Sequence, residues 1–308
     1  MGELDTYIPM LILNSIAIVC NAITVIVIIA SKTLRKTQNI FLWNIAFSDF
    51  VATFMTVFTL LYRHFTREYI SDQTGVLIRV SYLTGICSTV SVALHRIFVI
   101  RFDPFNTRKL FTGPRCIFVC IIFWAVLLTF SFAIQAFARQ TYFAVSAILP
   151  LATFGAHCLS AVCYAVVYMT ISGAARKAGL SGDTLEQRVK QNKKVLMTFA
   201  LVVGTNILCW TPFCVRLIIG YVRPEWIVPV SYPYPDPTLW FIRLENAALC
   251  FQGVNGILNP LIYFTRLTGF RQLLRDTCFR NRQTTENGDI SSSKAQTKET
   301  TVENGEKI

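Results

Sequence analysis

Asp49, Asn255 and Asn259 carry polar chemistry into stretches that are otherwise apolar. A carboxylate withdrawn from water must gain a partner, take up a proton or bind a cation. Asn255 and Asn259 are four residues apart, so on a helix they share one face. Arg96, preceded by His95, stands near the end of another apolar run, in "LHRIFVI". A guanidinium there can snorkel to water and offer its donors to a partner at the interface. "CWTPF" sets Trp210 beside Pro212, and "NPLIY" sets Pro260 directly after Asn259 and ends at Tyr263. Proline removes a backbone donor and kinks a helix, so both sites are hinge candidates. This is the chemistry of binding and switching. Aspartyl hydrolysis needs a second carboxylate, and Asp49 is the single acid in mid-run.

The elements that position these residues follow from composition. The chain has 308 residues, 53% hydrophobic and 15% charged, which is too apolar for a water-soluble domain. Seven apolar stretches recur, at 8–30, 39–62, 74–100, 116–138, 142–171, 195–221 and 239–265. Each reaches the roughly 20 helical residues needed to cross about 30 Å of hydrocarbon. Helices satisfy their own backbone in lipid, and no ten-residue alternating pattern of barrel strands is present. The expected fold is all-α, a bundle of seven transmembrane helices. Residues 1–278 form that bundle and a short helix after it, and residues 279–308 form a polar, disordered tail.

Charge orients the bundle. The segments 31–38, 96–115, 172–194 and 266 onward hold 22 of the 29 Lys and Arg. Positive loops face the cytoplasm, which puts the N-terminus outside and the tail inside. The basic pI of about 9.4 is thereby a topology signal with attraction to anionic membrane lipid, and nucleic acid is not an expected partner. The ten cysteines avoid the outer loops, so no exposed disulfide framework is expected.

The order of these motifs resembles the rhodopsin-like (class A) G-protein-coupled receptors across nearly the whole chain. The matching residues are Asn21, "LWNIAFSD" with Asp49, Arg96, Trp124, "CWTP" and "NPLIY", then "FTRLTGFRQLLRDTC". The last resembles the family's amphipathic helix, with Cys278 where members are often palmitoylated. The resemblance implies a receptor in the plasma membrane that couples an extracellular ligand to a cytoplasmic heterotrimeric G protein. Arg96 would be the inner-mouth arginine, freed when the sixth helix swings outward. His95, Trp210, Pro212, Asn259, Pro260 and Tyr263 would share in activation. A sodium ion at Asp49, Asn255 and Asn259 is the implied allosteric ligand. The Ser and Thr residues of the tail would carry phosphates for arrestin. A seven-span channel or transporter is the alternative, without its rings of charge or matching broken helices.

Several positions depart from the family pattern. His95 stands in place of an acid before Arg96, and Ile97 in place of an aromatic. Asn206 fills the place of an aromatic switch residue, and Gly85 the register of a serine that members supply to sodium. Tyr164 and Tyr168 both compete for the role of the inner tyrosine of the fifth span. A short second outer loop without the usual disulfide is similar to melanocortin and cannabinoid receptors. No lysine in the seventh span offers a Schiff base, and Ile78 and Arg79 stand near the place of an amine-binding aspartate. The candidates for ligand contact are Arg79, His157, Arg216 and Glu245, with Arg243 nearby. The three arginines favour a ligand bearing an acidic group, with a lipid or a peptide as the open alternatives.

Overall fold

A computed structural model describes residues 3–66, 72–102, 110–137, 142–177, 183–222, 239–273 and 275. The expected palmitoylation site Cys278, the tail 279–308 and the side chain of Glu245 lie outside the described residues. The fold is helical, and among the described residues no strand forms. The helices are α1 (Glu3–Ala30), α2 (Thr37–Thr66), α3 (Asp72–Ile97), α4 (Gly113–Phe137), α5 (Tyr142–Lys177), α6 (Asp183–Val222) and α7 (Leu239–Arg266). A π-helical turn, Phe98–Phe102, continues α3 just beyond His95 and Arg96. All seven helices are long and apolar enough to cross a membrane.

The bundle closes on itself. Helix α1 packs on α2 and α7, α6 on α5 and α7, and α3 on α2, α4 and α5. Helix α3 therefore occupies the centre, and α4 lies at the edge. Polarity is inverted relative to a soluble protein. Asn14, Asn21, Asn44, Ser48, Asp49, Ser88, His157, Asn206, Asn255 and Asn259 are buried, while Ile26, Phe118, Val126 and Leu151 face outward. Amide and hydroxyl groups gain partners only inside the bundle, and apolar side chains lose nothing by facing lipid.

Three of the family-matched residues tie helices together. Asn21 Nδ2 on α1 donates to the Gly256 carbonyl of α7 at 2.8 Å. Asn44 Nδ2 on α2 donates to Ser88 Oγ of α3 at 2.8 Å, and Trp124 Nε1 of α4 donates to Asn44 Oδ1 at 3.1 Å. A Cβ built on Gly256 would lie 3.0 Å from the Ala17 Cβ, so the glycine allows α7 to approach α1 closely enough for the Asn21 bond.

The helices outrun the apolar stretches at their polar ends. Helix α6 begins at Asp183, twelve residues before the expected start at 195, and spans 40 residues. At 1.5 Å per residue that is about 60 Å, roughly twice the hydrocarbon thickness. Hydropathy marks the lipid slab, and the helix continues into water beyond it. After α7, residues 268–273 are helical, with Phe270 buried and Arg271 and Gln272 exposed, so the expected amphipathic helix begins as the pattern implied. Phe270 packs edge-on against Phe264 at 5.0 Å and lies 6.5 Å from Tyr263.

Candidate functional site: a polar column through the bundle

The polar side chains line up in three levels. On α7, Gln252, Asn255, Asn259 and Tyr263 follow one another at spacings of three or four residues, and all are buried. This spacing places them along one helical face. On α3, Tyr82 and Arg96 are separated by 14 residues, close to four turns, and so lie near the same side.

At the first level Tyr82, Trp210 and Gln252 meet. The Tyr82 ring stands perpendicular to Trp210 at a centroid distance of 4.6 Å. Tyr82 Oη donates to Gln252 Oε1 at 3.2 Å. Trp210 also meets Phe213 edge-on at 5.6 Å. Helices α3, α6 and α7 are thus joined through one aromatic edge contact and one hydrogen bond. Edge-to-face packing of this kind is directional, so each ring restricts the orientation of the other. Tyr82 and Gln252 are functional candidates that motif reading missed. The signal was present: Gln252 shares the α7 face of Asn255 and Asn259, and Tyr82 shares the α3 side of Arg96.

At the second level Asp49 is buried and its Oδ2 accepts a hydrogen bond from Asn259 Nδ2 at 3.1 Å. The Oδ1 atoms of Asn21, Asn255 and Asn259 are buried without a hydrogen-bond partner. Asn255 shares the α7 face of Asn259, so its free oxygen belongs to the same column. A Cβ built on Gly85 would fall 3.7 Å from Asp49 Oδ1 and 2.9 Å from Ser48 Oγ. The Ser48 hydroxyl thereby takes the space that a side chain at position 85, where family members place a serine, would need. A carboxylate with unpaired amide oxygens on a neighbouring face is hard-oxygen chemistry suited to an alkali cation. Among the described residues no three His, Cys, Asp or Glu side chains gather, so a transition-metal set is absent there.

At the third level Arg96 is half-buried, and its guanidinium carbon sits 5.3 Å above the Phe199 ring of α6. Phe199 in turn stacks against Tyr164 of α5, 6.0 Å between centroids and 7° from parallel. Tyr164 is 4% exposed, whereas Tyr168 is 51% exposed. The tyrosine directed into the bundle is therefore Tyr164. His95 turns elsewhere, meeting Phe111 edge-on at 4.7 Å and 70°. The imidazole belongs to an aromatic patch with Phe98, and the Phe199 ring is what lies against Arg96.

The ligand candidates are more scattered. Arg79 and Arg216 are half-buried on α3 and α6. Arg243 on α7 is exposed. His157 is fully buried on α5, and neither ring nitrogen has a hydrogen-bond partner.

A closed bundle of seven membrane-length helices, with a polar column linking a central aromatic contact to an arginine at one mouth, defines a membrane receptor. The chain matches the 7 transmembrane receptor (rhodopsin family) over residues 20–263, and it belongs to that family. It is a G-protein-coupled receptor, and the channel or transporter alternative is set aside. Melanocortin receptor 5 of Sus scrofa is 22% identical over 267 residues, covering 83% of this chain and 87% of that one. The substance-P receptor of Homo sapiens is 23% identical over 274 residues, covering 80% of this chain and 64% of that receptor. Squid rhodopsin shares the fold, with a TM-score of 0.71 and 19% identity over 90% of this chain and 86% of that chain.

Proposed function

We propose that the receptor passes a signal down the polar column, from an extracellular ligand to Arg96. Relatives named for melanocortin and for substance P support an extracellular messenger as the ligand. The observation that carries the reading is the Tyr82 contact with Trp210 and Gln252, because it joins three helices at the head of the column. Ligand bound among Arg79, His157, Arg216 and Glu245 shifts Tyr82, and Trp210 with Pro212 lets α6 turn. Outward movement of α6 then withdraws Phe199 from Arg96 and opens the inner mouth to a G protein. A ligand drives this change only through its different affinity for the two states.

Orientation follows the basic segments, with the N-terminus outside and the tail in the cytoplasm. Asp49, Asn255 and Asn259 would hold a sodium ion, which supplies a positive charge that favours the inactive packing of α2 and α7. Asn259 and Tyr263, on either side of Pro260, couple this level to the inner mouth. Palmitate on Cys278 and phosphates in the tail, read by arrestin, complete the cytoplasmic face.

The test is nucleotide exchange on a panel of purified heterotrimeric G proteins, with the receptor reconstituted in lipid and no ligand added. Ligand-free exchange on one subtype that disappears with Arg96→Ala supports the reading. Exchange unchanged by that substitution opposes it.

A further inference from the structure

The stack of Tyr164 on Phe199 fixes the register of α5 against α6. The two helices are successive spans and run in opposite directions. Seven residues before Tyr164 lies His157, and seven residues after Phe199 lies Asn206. Seven residues make two turns, about 10 Å of rise, and return almost to the same face. His157 and Asn206 therefore stand at one height between α5 and α6. The groove along these helices gives the same register, since Tyr168, Tyr164 and Ala161 line it with Leu196, Ala200 and Val203. Both side chains point into the bundle, His157 being 1% exposed and Asn206 4%.

Both ring nitrogens of His157 and the Oδ1 of Asn206 lack a hydrogen-bond partner among the described residues. A neutral imidazole has one N–H donor and one acceptor nitrogen, and the amide oxygen is an acceptor. Donor and acceptor are thus complementary, yet they lie out of bonding reach of each other. Buried polar groups in this position are paired through water. Two hydroxyl oxygens border the same height. Ser160 Oγ, one turn along α5, gives its hydrogen to the Ala156 carbonyl at 3.0 Å. Thr89 Oγ1 of α3 gives its own to the Gly85 carbonyl at 3.0 Å. Thr89 lies midway between Tyr82, which meets Trp210, and Arg96, which meets Phe199, seven residues from each and so on their face. Both oxygens keep lone pairs. Among the described residues no His, Cys or acid joins His157 in a metal-ligating group, so the fitting ligand is small, neutral and both donor and acceptor. We propose that His157 and Asn206 bind an ordered water between α5 and α6. It accepts from the imidazole N–H and donates to Asn206 Oδ1, and its second hydrogen goes to the Ser160 or Thr89 oxygen.

The site sits between the two contacts that change when α6 moves. Asn206 is one turn from Trp210 and two turns from Phe199 on the same helix. Water held by both helices ties α6 to α5 at this height, and α6 must release it to turn. The bridge therefore restrains the movement that exposes Arg96. This second step rests on the proposed function, whereas water binding itself does not.

The experiment is millisecond X-ray footprinting of the full-length receptor in lipid nanodiscs. The pulse splits water into hydroxyl radicals, so a side chain shielded from bulk water is oxidised only by water bound beside it. His157 should be oxidised in the wild-type receptor. Asn206→Leu removes the acceptor and should lower that oxidation several-fold, while Asn206→Ser retains a hydroxyl and should keep it. The wild-type result stands even if a variant fails to fold: His157 left unoxidised while His64, exposed at the end of α2, is labelled would overturn the site. Oxidation unchanged in a folded Asn206→Leu would overturn it too. Thermal midpoints give an independent reading. His157→Leu and Asn206→Leu should each lower the midpoint, and the double variant should lose less than the two together, since no polar partner is then left unsatisfied. Additive losses would overturn the shared water. Ligand-free exchange that rises several-fold per receptor in Asn206→Leu supports the restraint, and unchanged exchange opposes it. Oxidised His157 in a receptor that never drives exchange upholds the site and counts against the receptor mechanism alone.

Discussion

Asn259 Nδ2 on α7 donates to Asp49 Oδ2 on α2 across 3.1 Å, and this bond ties α7 to α2 within the polar column. One carboxylate oxygen is thereby held, while Asn255 on the same α7 face keeps an unpaired amide oxygen. Replacing Asp49 with Asn retains the shape and removes the charge. Sodium should raise the thermal midpoint of the wild-type receptor above that in choline chloride, by mass action on the folded state. The Asp49→Asn variant should show the same midpoint in both salts. A sodium-dependent rise retained in the variant would place the cation elsewhere.

The aromatic hold on Arg96 leads to a second expectation. A cation over a ring contributes about 0.5–2 kcal/mol, the upper end when water is excluded. Phe199→Ala removes the ring and should raise ligand-free nucleotide exchange several-fold at matched surface expression. Phe199→Tyr retains a ring face and should stay close to wild type. His95 stands where an acid would pair with Arg96, and a carboxylate introduced by His95→Asp would lower ligand-free exchange only if position 95 faced the guanidinium. The side chain at 95 packs on Phe111, so His95→Asp should mainly cost packing. Lower expression with unchanged exchange per receptor is the expected outcome.

The two arginine neighbours show what was legible in the sequence and what was not. Seven spans, their order and the buried polar residues could be read directly, because lipid forces long apolar runs and makes every mid-span amide conspicuous. Asp49 with Asn259 was visible for that reason. Phe199 was not, since one phenylalanine among 24 carries no mark of its role. Its importance comes from the three-dimensional meeting of α3, α5 and α6. The choice between Tyr164 and Tyr168 was hidden in the same way, as the two lie four apart on one helix and only packing separates buried from exposed. The extra turns of α6 escaped because helix ends in water carry no hydropathy signal.

Tyr82 offers a separable pair of contacts. Tyr82→Phe keeps the edge against Trp210 and deletes the bond to Gln252. Gln252 Nε2 already lacks a partner, so the variant leaves both ends of a buried amide unsatisfied. The receptor should lose about 1–3 kcal/mol of stability, read as a lower thermal midpoint. Tyr82→Leu removes the aromatic edge as well and should lower the midpoint further. If the contact transmits the signal, Tyr82→Leu should also blunt ligand-driven exchange more than Tyr82→Phe does, measured relative to functional receptor number. Equal signalling by the two variants would reduce Tyr82 to a packing residue.

Gly256 tests how tightly α1 must approach α7. A Cβ at that position would sit 3.0 Å from Ala17 Cβ and 3.5 Å from both Asn21 Nδ2 and Thr53 Cγ2. The Ala17 contact is too short for two carbons, and neither side chain has a flexible end that can move aside. Relief therefore requires the helices to separate, which lengthens the 2.8 Å bond from Asn21 to the Gly256 carbonyl. Gly256→Ala should cost about 1–3 kcal/mol by overpacking and reduce surface expression. Ala17→Gly removes the atom that the new methyl meets. Combining the two should recover part of the lost expression, because the added methyl then occupies the space vacated on α1. The check is surface labelling of both single variants and the double variant. An expression deficit in Gly256→Ala that Ala17→Gly leaves unchanged would show that the α1 contact is not its cause.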